Sequence, residues 1–257
     1  MKIVFHEKYY NSEYAGDPAA APGRLDGIME IISGNRERYE VIRPEPALEE
    51  DILRAHTGSH VQRIQGNRLL YEMSLLAAGG AILAAERAYG GNPSFAVIRP
   101  PGHHASADSC WGFCFFNNIS VSLLRLWAEG KIKSAFVLDF DLHTGDGNIN
   151  ILLNRRDGFK VSILNPMSHD RGDYLREVRE YMDDLKNIDI FVASAGFDQG
   201  IDDWGNLLYP EDYTELGRLM GEYSEKLCGG RRYALLEGGY NHDILGINVD
   251  AFCKGFA

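Results

Sequence analysis

"KSAFVLDFDLHTGDG", Lys133 to Gly147, is the stretch on which the fold turns. Its first half carries Phe136, Val137 and Leu138, an apolar, β-favouring run of the kind buried in a parallel sheet. Where that run ends, Asp139, Asp141 and His143 occupy alternate positions. An extended chain repeats every two residues, so all three side chains point to one side. Surface charge accounts for one such residue. Three on one face invite a cation.

Outward from this stretch, short apolar segments alternate with helical patterns. The strand candidates are "KIVF", "YEVI", "SFAVI", "KSAFVLDF", "FKVSIL", "IDIFVASA" and "RYALLE". Between them lie "EEDILRAHTGSHVQRI", "LLAAGGAILAAERAY", "NISVSLLRLWAEG" and "PEDYTELGRLMGEYSEKL", which read as helices. The alternation predicts βαβ units, hence an α/β fold with an open parallel sheet flanked by helices on both faces. With no repeat, low-complexity tract or linker, residues 1–257 are expected to form a single domain.

Ligands of open α/β sheets sit outside the carboxyl ends of the strands. Reactive residues cluster there: "SFAVI" leads into "RPPGHHA", "KSAFVL" into "DFDLHTGDG", "IDIFVASA" into "GFD", and "RYALL" into "EGGY". Four strands thus deliver His103, His104, Asp139, Asp141, His143, Asp146, Asp198 and Tyr240 to one rim.

Composition narrows the class of function. With 26 Lys+Arg against 37 Asp+Glu the net charge is −11, which argues against a nucleic-acid surface. The run "MSLLAAGGAILAA" is shorter than the roughly 20 residues of a membrane span, and "MKIVFHEKYY" turns polar too early for a signal peptide. The four cysteines form no CxxC pair, as expected of free thiols in a reducing compartment. A cytoplasmic protein with no membrane or nucleic-acid partner is the expectation; the oligomeric state stays open.

Asp141 and His143, joined by a carboxylate from another strand, make a three-ligand metal site with open positions for water and substrate. Asp198 is the best third donor, and the mixed O/N set suits Zn²⁺ or Fe²⁺. Beside a metal with two anionic ligands, a separate general base is useful, and neutral histidine is the natural one near neutral pH. His103 and His104 are adjacent, with Asp139 and Asp146 as carboxylates able to fix their tautomers. The Tyr240 hydroxyl is a neutral donor to a developing oxyanion.

"RPPGHHA", "WGFCFFNN", "DFDLHTGDG", "SAGFD" and "LEGGY" together resemble the motifs of the histone deacetylase superfamily, which includes acetylpolyamine amidohydrolases and acetoin-utilisation-type deacetylases. The resemblance runs through nearly the whole chain, from "HEKYY" and "APGR" to "LEGGYN". It implies an arginase–deacetylase fold and a zinc-dependent amidohydrolase acting on acyl-lysine or small acylated amines. By motif position, the implied metal ligands are Asp141, His143 and Asp198. The implied general base is His104 and the electrostatic histidine His103, with Asp146 and Asp139 as their orienting carboxylates. Tyr240 falls on the carbonyl-polarising tyrosine, Gly112 on the backbone acceptor for the substrate amide, and Phe113 on an aromatic wall of the acyl tunnel. A structural potassium ion is also implied, bound through Asp139, Asp141 and His143 with Ser162 from the next strand.

The chain departs from the family where the substrate enters. "NPMSHDRGDYL" stands in place of a glycine-rich tunnel loop, and "DDWGN" puts Trp204 and Gly205 at the pocket mouth. Together with Asp202 and Asp203, this predicts a shallow, wide, acidic entrance serving small or unstructured cationic substrates. Two rival functions share the fold: a catalytically silent acyl-amine binding or sensor protein, and an arginase-like ureohydrolase, for which "SAGFD" supplies too few aspartates.

Overall fold

In the computed structural model, which describes residues 1–257, the seven expected strand segments form one sheet. They are β1 (Lys2–Val4), β2 (Glu40–Ile42), β3 (Ser94–Ala96), β4 (Ser134–Asp139), β5 (Lys160–Leu164), β6 (Phe191–Ala195) and β7 (Arg232–Leu236). Every pairing is parallel, in the order β2-β1-β3-β7-β6-β4-β5. β3, β4, β6 and β7 are buried throughout, which explains their mostly apolar character.

The covering helices are α1 (Asp26–Gly34), α2 (Glu49–Ile52), α3 (Gly58–Gln65), α4 (Arg68–Tyr89), α5 (Asn118–Ala128), α6 (Asp146–Leu152), α7 (Arg171–Asp183), α8 (Pro210–Cys228) and α9 (His242–Phe256). The pattern "EEDILRAHTGSHVQRI" is two helices rather than one. Thr57 interrupts it, its hydroxyl accepting the His60 N–H and capping α3. Helices α1, α6, α7 and α9 extend the set read from periodicity.

The apolar run around Gly79 and Gly80 belongs to a helix of 22 residues, long and apolar enough by composition to cross a membrane. Here it is clamped inside the protein. A Cβ on Gly79 would fall 1.9 Å from the Glu45 carbonyl, and one on Gly80 would fall 2.7 Å from Ile98. Glycine is what lets α4 approach this closely.

A contiguous core of 72 buried residues joins the sheet to both helical layers. β3, β7, β6 and β4 are four consecutive strands of the sheet, so the loops leaving their carboxyl ends meet. Those loops carry the candidate residues.

Candidate active site

Where β4 ends, Asp139 is the last strand residue and the chain turns through 140–145 into α6. Asp141 and Asp198 are buried, at 5% and 0% exposure, although both are carboxylates. His143 Nδ1 lies 3.1 Å from Asp141 Oδ1 and 3.2 Å from Asp198 Oδ2. All three offer ligand-type atoms within 4.8 Å of one another. Backbone amides hold the outer oxygens: Gly238 N–H donates to Asp141 Oδ2 at 2.9 Å, and Leu142 N–H to Asp198 Oδ1 at 3.0 Å. Asp198 Oδ2 is left buried without a hydrogen bond, its contact with His143 close but misaligned.

A buried, unpartnered carboxylate oxygen costs free energy unless something positive meets it. The electrostatics agree. Burial, then the neighbouring Asp141, pushes the Asp198 carboxyl up to about 6. The Asp141 carboxylate, which accepts from the His143 ring, and the adjacent Asp198 carboxylate push His143 up to about 10. Burial opposes ionisation of Asp141, but His103 and His143 outweigh it and hold that carboxyl below its usual range. The cluster is short of positive charge at one point, and its two carboxylates and imidazole match the donor set of a divalent metal.

Glycines wall this cluster. A Cβ on Gly196 would lie 2.1 Å from Asp141 Oδ2, and one on Gly238 would lie 2.5 Å from the same oxygen and 2.7 Å from the Asp198 carboxyl. No larger residue fits at either position.

The two histidines differ in setting. His103 Nδ1 is 3.3 Å from Asp139 Oδ2, and its Nε2 is 3.8 Å from Asp141 Oδ1. Burial works against its cation, but Asp141 and Asp139 prevail and raise its pKa well above normal. His104 Nδ1 pairs with Asp146 Oδ1 at 2.7 Å, which directs Nε2 away from the carboxylate. Burial first, and then His103, lowers the His104 pKa and favours the neutral ring. One histidine is poised as a cation and its neighbour as a base.

Tyr240 closes the far side. Its backbone N–H and that of Asn241 donate to Asp203 Oδ2 at 2.7 and 2.9 Å. Burial raises its hydroxyl well above the ordinary tyrosine range, so it stays protonated and able to donate. Arg24 braces the same turn from beneath, donating to the carbonyls of Gly239 (2.8 Å) and Glu237 (2.5 Å).

His103, His104, His143 and Tyr240 line a cavity of about 110 Å³ together with Gly112, Phe113, Trp111 and Trp204. Gly112 and Phe113 both take positive φ, 58° and 67°, and a Cβ at Gly112 would strike the His104 ring at 2.4 Å. Trp204 stacks on Tyr240 with centroids 4.1 Å apart, and Phe113 meets that ring edge-on at 5.9 Å.

Three expectations change. Gly205 does not line the cavity: it is turned inward, where a Cβ would meet Gln199 Oε1 at 1.9 Å, and Trp204 forms the wall instead. The mouth is therefore an aromatic slot rather than a wide opening. Asp203, expected as surface charge at the entrance, is engaged by the Tyr240 and Asn241 amides and by Trp204 N–H at 2.8 Å. Ser162 pairs with Phe136, three positions before Asp139, so the sheet register keeps it from the Asp139–His143 segment assigned to potassium. Asn165 reaches that place, donating to the Asp139 carbonyl at 3.2 Å.

Residues beyond the expected set also shape the site. Trp111 caps His104, Asn148 donates to Asp139 Oδ2 at 3.0 Å, and Glu237 Oε2 accepts the N–H groups of Gly102 (2.6 Å) and His103 (3.2 Å). Burial pushes the Glu237 carboxyl up to about 7, and its Oε1 is buried without a partner. Trp111 and Glu237 stand inside the quoted motifs, so position was legible there; their contacts were not.

The model of the histone deacetylase domain matches residues 19–175 of this chain. A probable deacetylase of Archaeoglobus fulgidus is 30% identical over 292 aligned positions, covering 93% of this chain and 81% of that protein. A histone deacetylase-like amidohydrolase of Pseudomonas aeruginosa is 26% identical, covering 85% of this chain and 70% of that one. The crystal structure of the HDA15 HD domain superposes with a TM-score of 0.83 at 22% identity, over 100% of this chain and 90% of that chain, and shares the fold. The chain belongs to the histone deacetylase family. Membership supports deacetylase-type hydrolase chemistry and implies a metal ion, usually zinc.

Proposed function

We propose that residues 1–257 act as one metal-dependent deacylase that hydrolyses the amide of a short acyl group on a primary amine, either a small acylated amine or an exposed acyl-lysine. The observation that carries this reading is the convergence on one small cavity of a cation-deficient Asp141–His143–Asp198 cluster, two histidines with opposite proton preferences, and a protonated Tyr240.

Asp141, His143 and Asp198 would hold the metal, which when bound supplies Lewis-acid polarisation of the carbonyl and activation of water. Asp146 fixes the His104 tautomer with the proton on Nδ1, so Nε2 takes a proton from the attacking water. Tyr240 donates its hydroxyl to the oxygen on which negative charge develops. His103, kept cationic by Asp139 and Asp141, stabilises that charge without giving up its proton. His104 then returns its proton to the leaving nitrogen, the second water proton passes from the new acid to the amine, and ammonium and carboxylate depart. Atoms balance, and both histidines end as they began.

The dimensions of the slot favour a short acyl group, with Phe113, Trp111 and Trp204 packing along the amine chain. The test is kcat/KM on acetylated, butyrylated and longer-chain amines and lysine peptides, before chelation, after it, and after zinc or iron is restored. Hydrolysis of the short-chain amides that is lost on chelation and regained with metal is expected. Turnover indifferent to chelation would overturn the reading.

A further inference from the structure

A second cavity, of about 490 Å³, lies at the carboxyl ends of β1 and β2 against the first half of α4. It shares no lining residue with the catalytic cavity, and its size is that of a small-molecule pocket, about 300–1,000 Å³. The turn after β1 is anchored to α4 by Tyr9, whose buried hydroxyl donates to the Leu76 carbonyl at 2.7 Å. The wall is therefore fixed rather than a loose loop.

His6 on that wall is only 6% exposed. Its Nδ1 accepts the Lys8 N–H at 3.0 Å, so the ring proton sits on Nε2, a donor with no partner in the protein. Burial and the nearby Arg43 keep the ring neutral. Lys8, exposed beside it, makes no ion pair. Other charges at the rim are already matched: Glu72 by Arg68 at 2.7 Å, and Arg43 by Glu7 at 3.4 Å. Glu45 is the one lining carboxylate left unpaired, and it disfavours an anion at its own end. The floor is apolar, built from Leu69, Met73 and Leu76.

We propose that this cavity binds a small monocarboxylate with an aliphatic tail, its head group on His6 Nε2–H and the Lys8 ammonium and its tail over Leu69, Met73 and Leu76. One free cation and one neutral donor match a single negative charge; a phosphate dianion would demand more. The apolar floor calls for a hydrocarbon tail. A carboxylate is also the chemical class that deacylation releases, but the binding site stands independently of the deacylase reading.

The test is a titration of isotope-labelled, metal-loaded protein with hexanoate, hexylamine and hexanamide, followed by backbone amide chemical shifts. Hexanoate is expected to shift Lys8, Tyr9 and the Leu69–Leu76 stretch of α4 saturably, with hexylamine inert there. Lys8→Glu, at an exposed position, should weaken hexanoate at least about tenfold, while Lys8→Arg stays close to wild type. Shifts confined to Asp141, His143 and Tyr240, equal response to the amine, or affinity unmoved by Lys8→Glu would each overturn the assignment. Because the readout is binding rather than turnover, it stays informative even where the protein hydrolyses no amide.

Discussion

The Trp111 indole lies on the His104 imidazole with centroids 3.8 Å apart and ring planes 30° from parallel, and its Nε1–H donates to Asp146 Oδ2 at 2.9 Å. One side chain thus touches both members of the His104–Asp146 pair. Trp111→Phe keeps a stacking ring and removes the donor. A fall in kcat of about tenfold is expected, from one hydrogen bond to a charged group. Trp111→Ala, which also uncovers His104, should fall further. Equal kcat in all three proteins would show that Trp111 only walls the cavity.

Asp198→Ala should lose most bound metal, measured by elemental analysis of purified protein. The stability readout has two signs. Chelated wild type carries a buried, unpartnered oxygen, so chelated Asp198→Asn should melt at a higher temperature. Added zinc should then raise the melting temperature of wild type and leave the variant nearly still. Metal-induced stabilisation of equal size in both would remove Asp198 from the ligand set.

Tyr240→Phe should lower kcat by about 10²–10³, the usual cost of one oxyanion donor, with metal content unchanged. Asp203→Ala frees the turn that carries Tyr240 and should cost less. Because both changes act through one hydroxyl, the double variant should be little worse than Tyr240→Phe alone. Additive losses would mean that Asp203 serves some other purpose.

Glu237 holds the loop of the histidines through the Gly102 and His103 amides. Glu237→Gln retains an acceptor for those N–H groups, whereas Glu237→Ala leaves them buried and unpaired. The glutamine variant should keep kcat within about tenfold of wild type, and the alanine variant should lose both kcat and stability. If glutamine is as damaging as alanine, the charge matters rather than the positioning.

His56 makes stability depend on acid. Its Nε2 accepts the Asn117 N–H at 2.9 Å, its ring stacks on His60, and burial depresses its pKa to about 3. The unfolded chain binds a proton near 6.5 that the folded protein refuses, so this contribution is present above 6.5 and is lost as pH falls toward 3. Asn117 also caps α5 and donates to the Ala105 carbonyl next to His103 and His104, so acid should loosen the site along with the fold. His56→Gln should flatten the decline in melting temperature between neutral pH and about pH 4. An unchanged slope would place the acid sensitivity elsewhere.

The strands were legible because β3, β4, β6 and β7 are mostly apolar and buried along their whole length, and the rim because polar residues follow soon after each. Asp141, His143 and Asp198 meet because the loops leaving β4 and β6 converge, the chain turning after Asp139 rather than running on as the extended strand that their alternation suggested. Ser162 did not join them, because an all-parallel sheet carries no hairpin to set register. Only the pairing of Leu138 with Leu164 shows that Asn165 reaches the carbonyl of Asp139. The mouth was unreadable for a related reason. Asp202 and Asn206 adopt positive φ, 63° and 50°, and that local twist decides that Trp204 faces the cavity and Gly205 the interior. Asp203 and Tyr240, separated by 37 residues, are joined by a contact that no local pattern announces.

The glycines against Asp141 and Asp198 divide the site into a part that cannot drift and a part that can. With oxygens where a Cβ at Gly196 or Gly238 would stand, any side chain there would displace the Asp141 and Asp198 carboxylates themselves. The indoles of Trp111 and Trp204, by contrast, are about half exposed, at 54% and 52%, and have solvent on one face. A library randomised at Trp204, with Trp111 kept for its hold on His104 and Asp146, is expected to retune which amines enter while the Asp141–His143–Asp198 floor is inherited unchanged, so new substrate ranges lie within reach of changes confined to the rim.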